Sequence, residues 1–168
     1  MNRLANRRLL ARSGRSPAVT PRFFLDTDVF IASFDRRRRR RHEDAHELIS
    51  TALSAGVGFV SPLVIQEFVS AALQEFSVPL TAPDCRLYIE EVLMPLCCTT
   101  PAAALYPRAL AIRERSEWDF RDCLIIASAQ EIGCRTLFSQ RLPHWQRFDS
   151  LLFVNPFDRS RTVDVAME

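Results

Sequence analysis

Short apolar runs and amphipathic stretches alternate along most of the chain, and from Arg22 onward the alternation predicts strand–helix repeats. The run FFLDTDVFI, Phe23 to about Ile31, reads as a strand passing into a turn or helix start. HEDAHELISTAL, His42 to Leu53, places Ala45, Leu48, Ile49 and Ala52 on one helical face. GVGFVS, Gly56 to Ser61, predicts a short strand, and the next helix opens with Ser61 as N-cap and Pro62 at its first position. That helix runs to about residue 75 and carries Leu63, Ile65, Phe68, Val69 and Ala72. Pro79, Pro83, Pro95 and Pro101 punctuate further helices near 83–93 and 101–115. Asp119 to about Ile132 predicts a helix closed by Gly133. TLFS, Thr136 to Ser139, and LLFVN, Leu151 to Asn155, predict two more strands.

Strands that alternate with helices, each short and mostly apolar, imply an α/β fold with a parallel sheet. In such sheets the chemistry sits at the carboxyl ends of the strands, where Asp26 and Asp28 fall. Residues 1–21 carry Arg without any acid and show no hydrophobic period, so they read as a basic arm before one domain spanning 22–168. The arm shares its Arg-rich character with transit peptides, but R-S-G-R-S-P contains helix breakers.

Composition narrows the classes. With 168 residues and 48% hydrophobic content the chain can bury a sizeable core, and the longest apolar runs are far too short to span a bilayer. A net charge of +2 does not by itself argue for a nucleic-acid partner. Five Cys without a C-x-x-C pair predict a reduced, cytoplasmic protein with no cysteine-based zinc site. All 22 basic residues are Arg.

An ionised carboxylate at the end of an apolar strand is costly without a partner. Asp26 therefore asks for a counter-charge, and so does Asp122, which directly precedes the apolar run CLIIASA. Glu67 lies among Ile65, Phe68 and Val69 on the helix after the second strand, half enclosed. Asp119 is an N-cap candidate three residues before Asp122, on the same helical face. Acids from a strand, a second helix and a later helix suit a hard divalent cation such as Mg²⁺ or Mn²⁺. Phosphatases built on a D-x-D motif and P-loop enzymes both need a Lys near the phosphate, and this chain has none. HEDAH, His42 to His46, matches the zinc-protease H-E-x-x-H, but it opens a helix directly behind six Arg, a poor place for a cation.

The sequence LDTDV (Leu25 to Val29), Glu67 in Q-E-F, DCLIIASA (Asp122 to Ala129), GCRTLFS (Gly133 to Ser139) and FVNPF (Phe153 to Phe157) occur in an order that resembles a PIN domain, in particular the VapC-like ribonuclease toxins. The resemblance implies a three-layer α/β/α fold with a short central parallel sheet. It also implies Asp26 and Asp122 as principal ligands of Mg²⁺ or Mn²⁺, with Glu67 completing a catalytic acidic pocket. Thr27, Asp28, Ser139 and Arg141 would form its rim, Asp28 in a structural role. The family commonly carries an acid where this chain has S-Q-R-L, so Arg141 subtracts negative charge, and Asp119 is a further candidate ligand that would compensate. The implied function is a metal-dependent endoribonuclease, the toxin of a toxin–antitoxin pair, acting as a homodimer silenced by an antitoxin protein. The alternative is a catalytically impaired PIN domain that binds RNA or protein. The run Arg36, Arg37, Arg38, Arg39, Arg40 and Arg41 leaves the same sheet edge as Asp26 and is a candidate grip on RNA phosphates.

Overall fold

The computed structural model describes residues 21–98 and 101–158, so the basic arm lies outside the described residues except for Pro21. Among the described residues, five strands form one sheet in the order β2-β1-β3-β5-β4. The central strand β1 (Phe23–Leu25) pairs in parallel with β2 (Gly58–Phe59) on one side and β3 (Thr136–Phe138) on the other. β5 (Leu151–Val154) continues the parallel set beside β3. β4 (Arg147–Phe148) closes that edge as an antiparallel strand with no counterpart in the hydrophobic pattern of the sequence.

Strand β1 coincides with the apolar run FFL. It ends at Leu25 because Asp26 takes extended backbone angles and caps helix α1 (Thr27–Ala32), its carboxylate accepting from the Thr27 N–H at 2.7 Å. The same residue thus ends a strand, starts a helix and carries the first acid of the site. Helix α2 (Arg39–Ala55) begins earlier than its amphipathic stretch, taking in Arg39 to Arg41, and ends at Gly56 in the left-handed conformation (φ 64°). It packs tightly on the sheet at Gly58, where a Cβ would lie 2.2 Å from the Ala52 Cβ.

Helix α3 (Pro62–Gln74) buries Val64, Phe68, Ala71 and Ala72, while Leu63, Ile65 and Val69 are half-buried at its flanks. Ser61 stands at the N-cap position, but its hydroxyl makes no capping bond and is buried without a partner. The expected helix near 83–93 is α4 (Ala82–Tyr88), which runs into a π-helical turn at Ile89–Leu93 and a final turn α5 (Met94–Leu96). Thr81 and Asp84 cap α4 reciprocally. Helix α6 (Ala102–Glu114) packs along α7 (Phe120–Glu131).

An aromatic cluster fixes how α1 and α3 face each other. The Phe68 ring stacks on Tyr88 at 4.8 Å and meets Phe30 edge-on, and Phe34 packs against Phe68, Phe76 and Tyr88. Phe68 is fully buried and adjoins Glu67, so this packing sets the direction in which Glu67 leaves the helix. Trp118 meets Phe148 and Phe153 edge-on beneath α7. All five Cys are free, and no described helix is long and apolar enough to cross a membrane.

Candidate functional site

The carboxyl ends of β1 and β3 lie side by side. The Asp26 N–H donates to the Phe138 carbonyl at 3.0 Å, and the Ser139 N–H donates to the Val154 carbonyl at 3.0 Å. Asp26 and Ser139 are therefore neighbours, and the Ser139 hydroxyl donates to Asp26 Oδ2 at 2.7 Å. Both are almost entirely buried. From α3, Glu67 reaches the same point, where its Oε2 accepts from the Thr27 hydroxyl at 2.5 Å. From the first turn of α7, Asp122 projects into it as well. Asp119 caps that helix, its Oδ1 accepting from the Asp122 N–H at 2.9 Å.

Asp26, Glu67 and Asp122 converge on one guanidinium. Arg121 donates to both oxygens of Asp26 at 2.6 and 3.0 Å, to Glu67 Oε1 at 2.6 Å and again to Glu67 Oε2, to Asp122 Oδ1 at 2.9 Å, and to the Thr27 hydroxyl at 3.2 Å. Its side chain is 21% exposed, so these bonds are formed largely out of water. Burial disfavours the charged guanidinium, but its bonds to Glu67, Asp26 and Asp122 outweigh that and hold the proton more tightly than usual. Glu67 shows the reciprocal effect. Burial raises its carboxyl, and the bonds from Arg121 and Thr27 more than reverse this, leaving it below the usual carboxylate range.

Arg141 is the second cation of the site. Its Nε donates to Asp122 Oδ1 at 3.0 Å and a terminal nitrogen donates to Asp119 Oδ2 at 2.7 Å. Its side chain is 49% exposed, so it sits at the rim and not in the centre. Asp28 points to the other side of the rim, where Oδ2 accepts from the Gln140 N–H at 2.6 Å and Oδ1 is buried without a partner. Burial first, and the charge of Asp26 second, push the Asp28 carboxyl up to about 7. Of the six consecutive Arg, Arg41 reaches this edge, bonding to the Gln140 side chain and lying 4.7 Å over the Phe157 ring. Arg36 to Arg40 are exposed; Arg38 pairs with Asp35 and Arg39 with Glu43.

The site opens into a cleft of 520 Å³ lined in part by Thr27, Asp28, Glu67, Arg121, Gln140 and Arg141. Four carboxylates (Asp26, Glu67, Asp119, Asp122) face two guanidinium groups, so the pocket is formally two charges negative before Asp28 is counted. Carboxylate oxygens flanked by hydroxyls form the donor set that a hard divalent cation takes, and in chemistry and charge the residues fit one. Their seat is filled by Arg121, and among the described residues no group of three or more His, Cys, Asp or Glu is placed to hold a metal ion as the side chains stand. HEDAH is accounted for otherwise: His46 Nε2 lies 3.1 Å from the Ser33 carbonyl and Glu43 pairs with Arg39.

Arg121 is the residue that the sequence pattern did not single out. The signal was indirect: an acid at position 122 in front of an apolar run needed a counter-charge, and a cation stood beside it at position 121.

The family model for the PIN domain matches residues 23–140, which include Asp26, Glu67, Asp119, Arg121, Asp122 and Ser139 of this pocket. No curated protein matches the chain in sequence. Among solved structures, a toxin–antitoxin complex from Klebsiella pneumoniae superposes with a TM-score of 0.58 at 16% identity, over 80% of this chain and 98% of the other. The DNA-bound VapBC of Salmonella typhimurium gives 0.56 at 17% identity, over 80% and 97%. The sarcin–ricin-loop-cleaving toxin VapC20 of Mycobacterium tuberculosis gives 0.52 at 18%, over 70% and 88%. Identities this low speak to the fold alone.

Proposed function

The chain belongs to the PIN domain family, and from that premise we propose that it is a Mg²⁺- or Mn²⁺-dependent endoribonuclease, the toxin of a toxin–antitoxin pair. The observation that carries the reading is the convergence of Asp26, Glu67 and Asp122, from three separate elements, on one point at the carboxyl edge of the sheet. Structural carboxylates are normally dispersed or paired singly; three directed at one cation and still carrying excess negative charge suit a cation-binding function.

Asp26 and Asp122 would hold the cation, with Glu67 completing the pocket. When bound, the cation would polarise a phosphate oxygen and make a bound water more acidic than bulk water. The remaining work falls to the chain's own groups. Ser139 and the Thr27 N–H fix the Asp26 carboxylate, and the Thr27 hydroxyl fixes Glu67. Asp28 anchors the backbone at Gln140, which in turn holds Arg41 at the rim. Arg41 and Arg141 at the rim, with the exposed Arg36 to Arg40 on the segment that leads to Arg41, would offer guanidinium groups to an RNA backbone. Such contacts position the strand and do not read its sequence. An antitoxin that silences the chain is part of the same proposal, supported by solved structures of this fold that are themselves toxin–antitoxin complexes, and a cytoplasmic homodimer is proposed with it.

The test is cleavage of a structured RNA pool by purified protein in Mn²⁺, beside EDTA and Asp26→Ala controls. Cleavage lost in both controls is the expected result. The second reading, a PIN domain that binds RNA or protein without cutting, is favoured by the two guanidinium groups in the pocket. It predicts RNA binding that neither EDTA nor Asp26→Ala alters, with no cleavage under any condition.

A further inference from the structure

We propose that Arg121 occupies the cation seat in the substrate-free protein and that an RNA phosphate draws it out, so that binding of the RNA backbone and binding of the divalent cation are linked through this one side chain. The inference rests on the metal-dependent reading above and adds to it the order in which the site is assembled.

Arg121 and a cation compete for the same oxygens. The oxygens that a cation would need are those that Arg121 already engages: both of Asp26, both of Glu67 and Oδ1 of Asp122. A guanidinium and a metal ion cannot share them, so each lowers the apparent affinity of the other. A phosphate is an alternative partner for Arg121. Arg121 leaves α7 at the lip of the 520 Å³ cleft, and its planar fork of donors matches the paired oxygens of a phosphate as well as those of a carboxylate. A phosphodiester seated in the cleft offers Arg121 anionic oxygens in exchange for those it gives up. Its departure uncovers three carboxylates at once, a charge that a divalent cation then offsets in large part. Arg141 does not share this role. It touches Asp122 and Asp119 from the rim, and neither Asp26 nor Glu67 is among its partners.

The experiment measures Mn²⁺ affinity by electron paramagnetic resonance of the free ion, with and without a 2′-O-methyl oligoribonucleotide confirmed intact on a gel. It compares full-length wild type, Arg121→Gln and Arg141→Gln, with the ion bound by the oligonucleotide alone subtracted. For wild type the oligonucleotide should tighten Mn²⁺ binding by at least about tenfold, within the usual range of coupling between sites. Arg121→Gln should bind Mn²⁺ about tenfold more tightly than wild type without RNA and gain little when RNA is added. Arg141→Gln should keep the dependence on RNA. Equal Mn²⁺ affinity with and without oligonucleotide in wild type overturns the inference, and this arm needs no variant to fold. Equal affinity of wild type and a folded Arg121→Gln also overturns it, while leaving the metal nuclease intact. No Mn²⁺ binding by either protein overturns the metal-dependent reading itself and the linkage with it.

Discussion

Replacing Arg121 by Gln tests whether its guanidinium is the counter-charge that makes the acidic pocket tolerable. The wild-type side chain makes six hydrogen bonds to Asp26, Thr27, Glu67 and Asp122. Gln keeps two polar atoms but neither the charge nor the reach, and it leaves three carboxylates facing one another. Removing one partner of a buried ion pair costs about 3–5 kcal/mol, because the charges left behind are uncompensated. Arg121 is 21% and Glu67 28% exposed, so some water reaches the network and the lower end applies, about 3 kcal/mol. For a chain of this length each kcal/mol moves the melting temperature by about 2–4 °C, giving a fall of roughly 6–12 °C. The assay is thermal unfolding followed by circular dichroism in EDTA. A melting temperature within about 2 °C of wild type would refute the reasoning, since the carboxylates would then be satisfied by solvent. Added Mn²⁺ should return much of the lost stability to the variant, because a ligand that binds only the folded state stabilises by mass action. Wild type, whose seat is filled, should move far less.

Asp28→Asn should remove a pH dependence of stability. The folded-state carboxyl is raised from 3.8 to about 7, so the folded protein binds a proton that the unfolded chain releases. Stability from this group is greatest below pH 4 and falls as pH rises toward 7, by at most about 4 kcal/mol. In metal-free buffer Asp28→Asn should therefore match wild type near pH 4 and exceed it at pH 8; equal stability at both pH values would refute the assignment. Phe68→Ala should cost about 3–5 kcal/mol in urea denaturation, because the ring is fully buried between Phe30, Phe34, Phe76 and Tyr88. A loss below about 1 kcal/mol would mean that the cluster does not fix α3. Gly58→Ala should destabilise by about 1–3 kcal/mol, since the new Cβ would lie 2.2 Å from the Ala52 Cβ; an unchanged denaturation midpoint would show that α2 can shift off the sheet.

The parts of the fold legible in the sequence were those written in one period at a time. The apolar run before Asp26, the amphipathic face of α2 and the Asp119 cap each depend on residues a few positions apart, and they stand where the pattern puts them. The passage from strand to helix start expected between Phe23 and Ile31 falls at Asp26, which caps α1, and Val29 and Phe30 bury from that helix. What the pattern missed has local causes. The antiparallel β4 is two residues long, too short for any alternation to register. Pro95 predicts a break, whereas the chain there widens into a π-helical turn before a last turn of helix.

Arg121 escaped the same kind of reading for a geometric reason. Adjacent residues on a helix point about 100° apart, so Arg121 and Asp122 do not belong to one face. The pairing exists because α7 begins at the pocket: the long Arg121 side chain turns back across the first turn, and the strand and helix that carry Asp26 and Glu67 meet it from the other side. A one-dimensional pattern records the need for a counter-charge at Asp122 and leaves open what supplies it. The two Arg side chains at this site also differ in kind. Arg141 lies at the rim, half exposed, so it dilutes the field of the pocket without filling it. Arg121 lies inside, bonded to every inner carboxylate, so the same unit of charge blocks the seat outright. On the metal-dependent reading, position 141 therefore bears on how strongly the pocket would attract a cation, and position 121 on whether one could enter before the guanidinium has somewhere else to go.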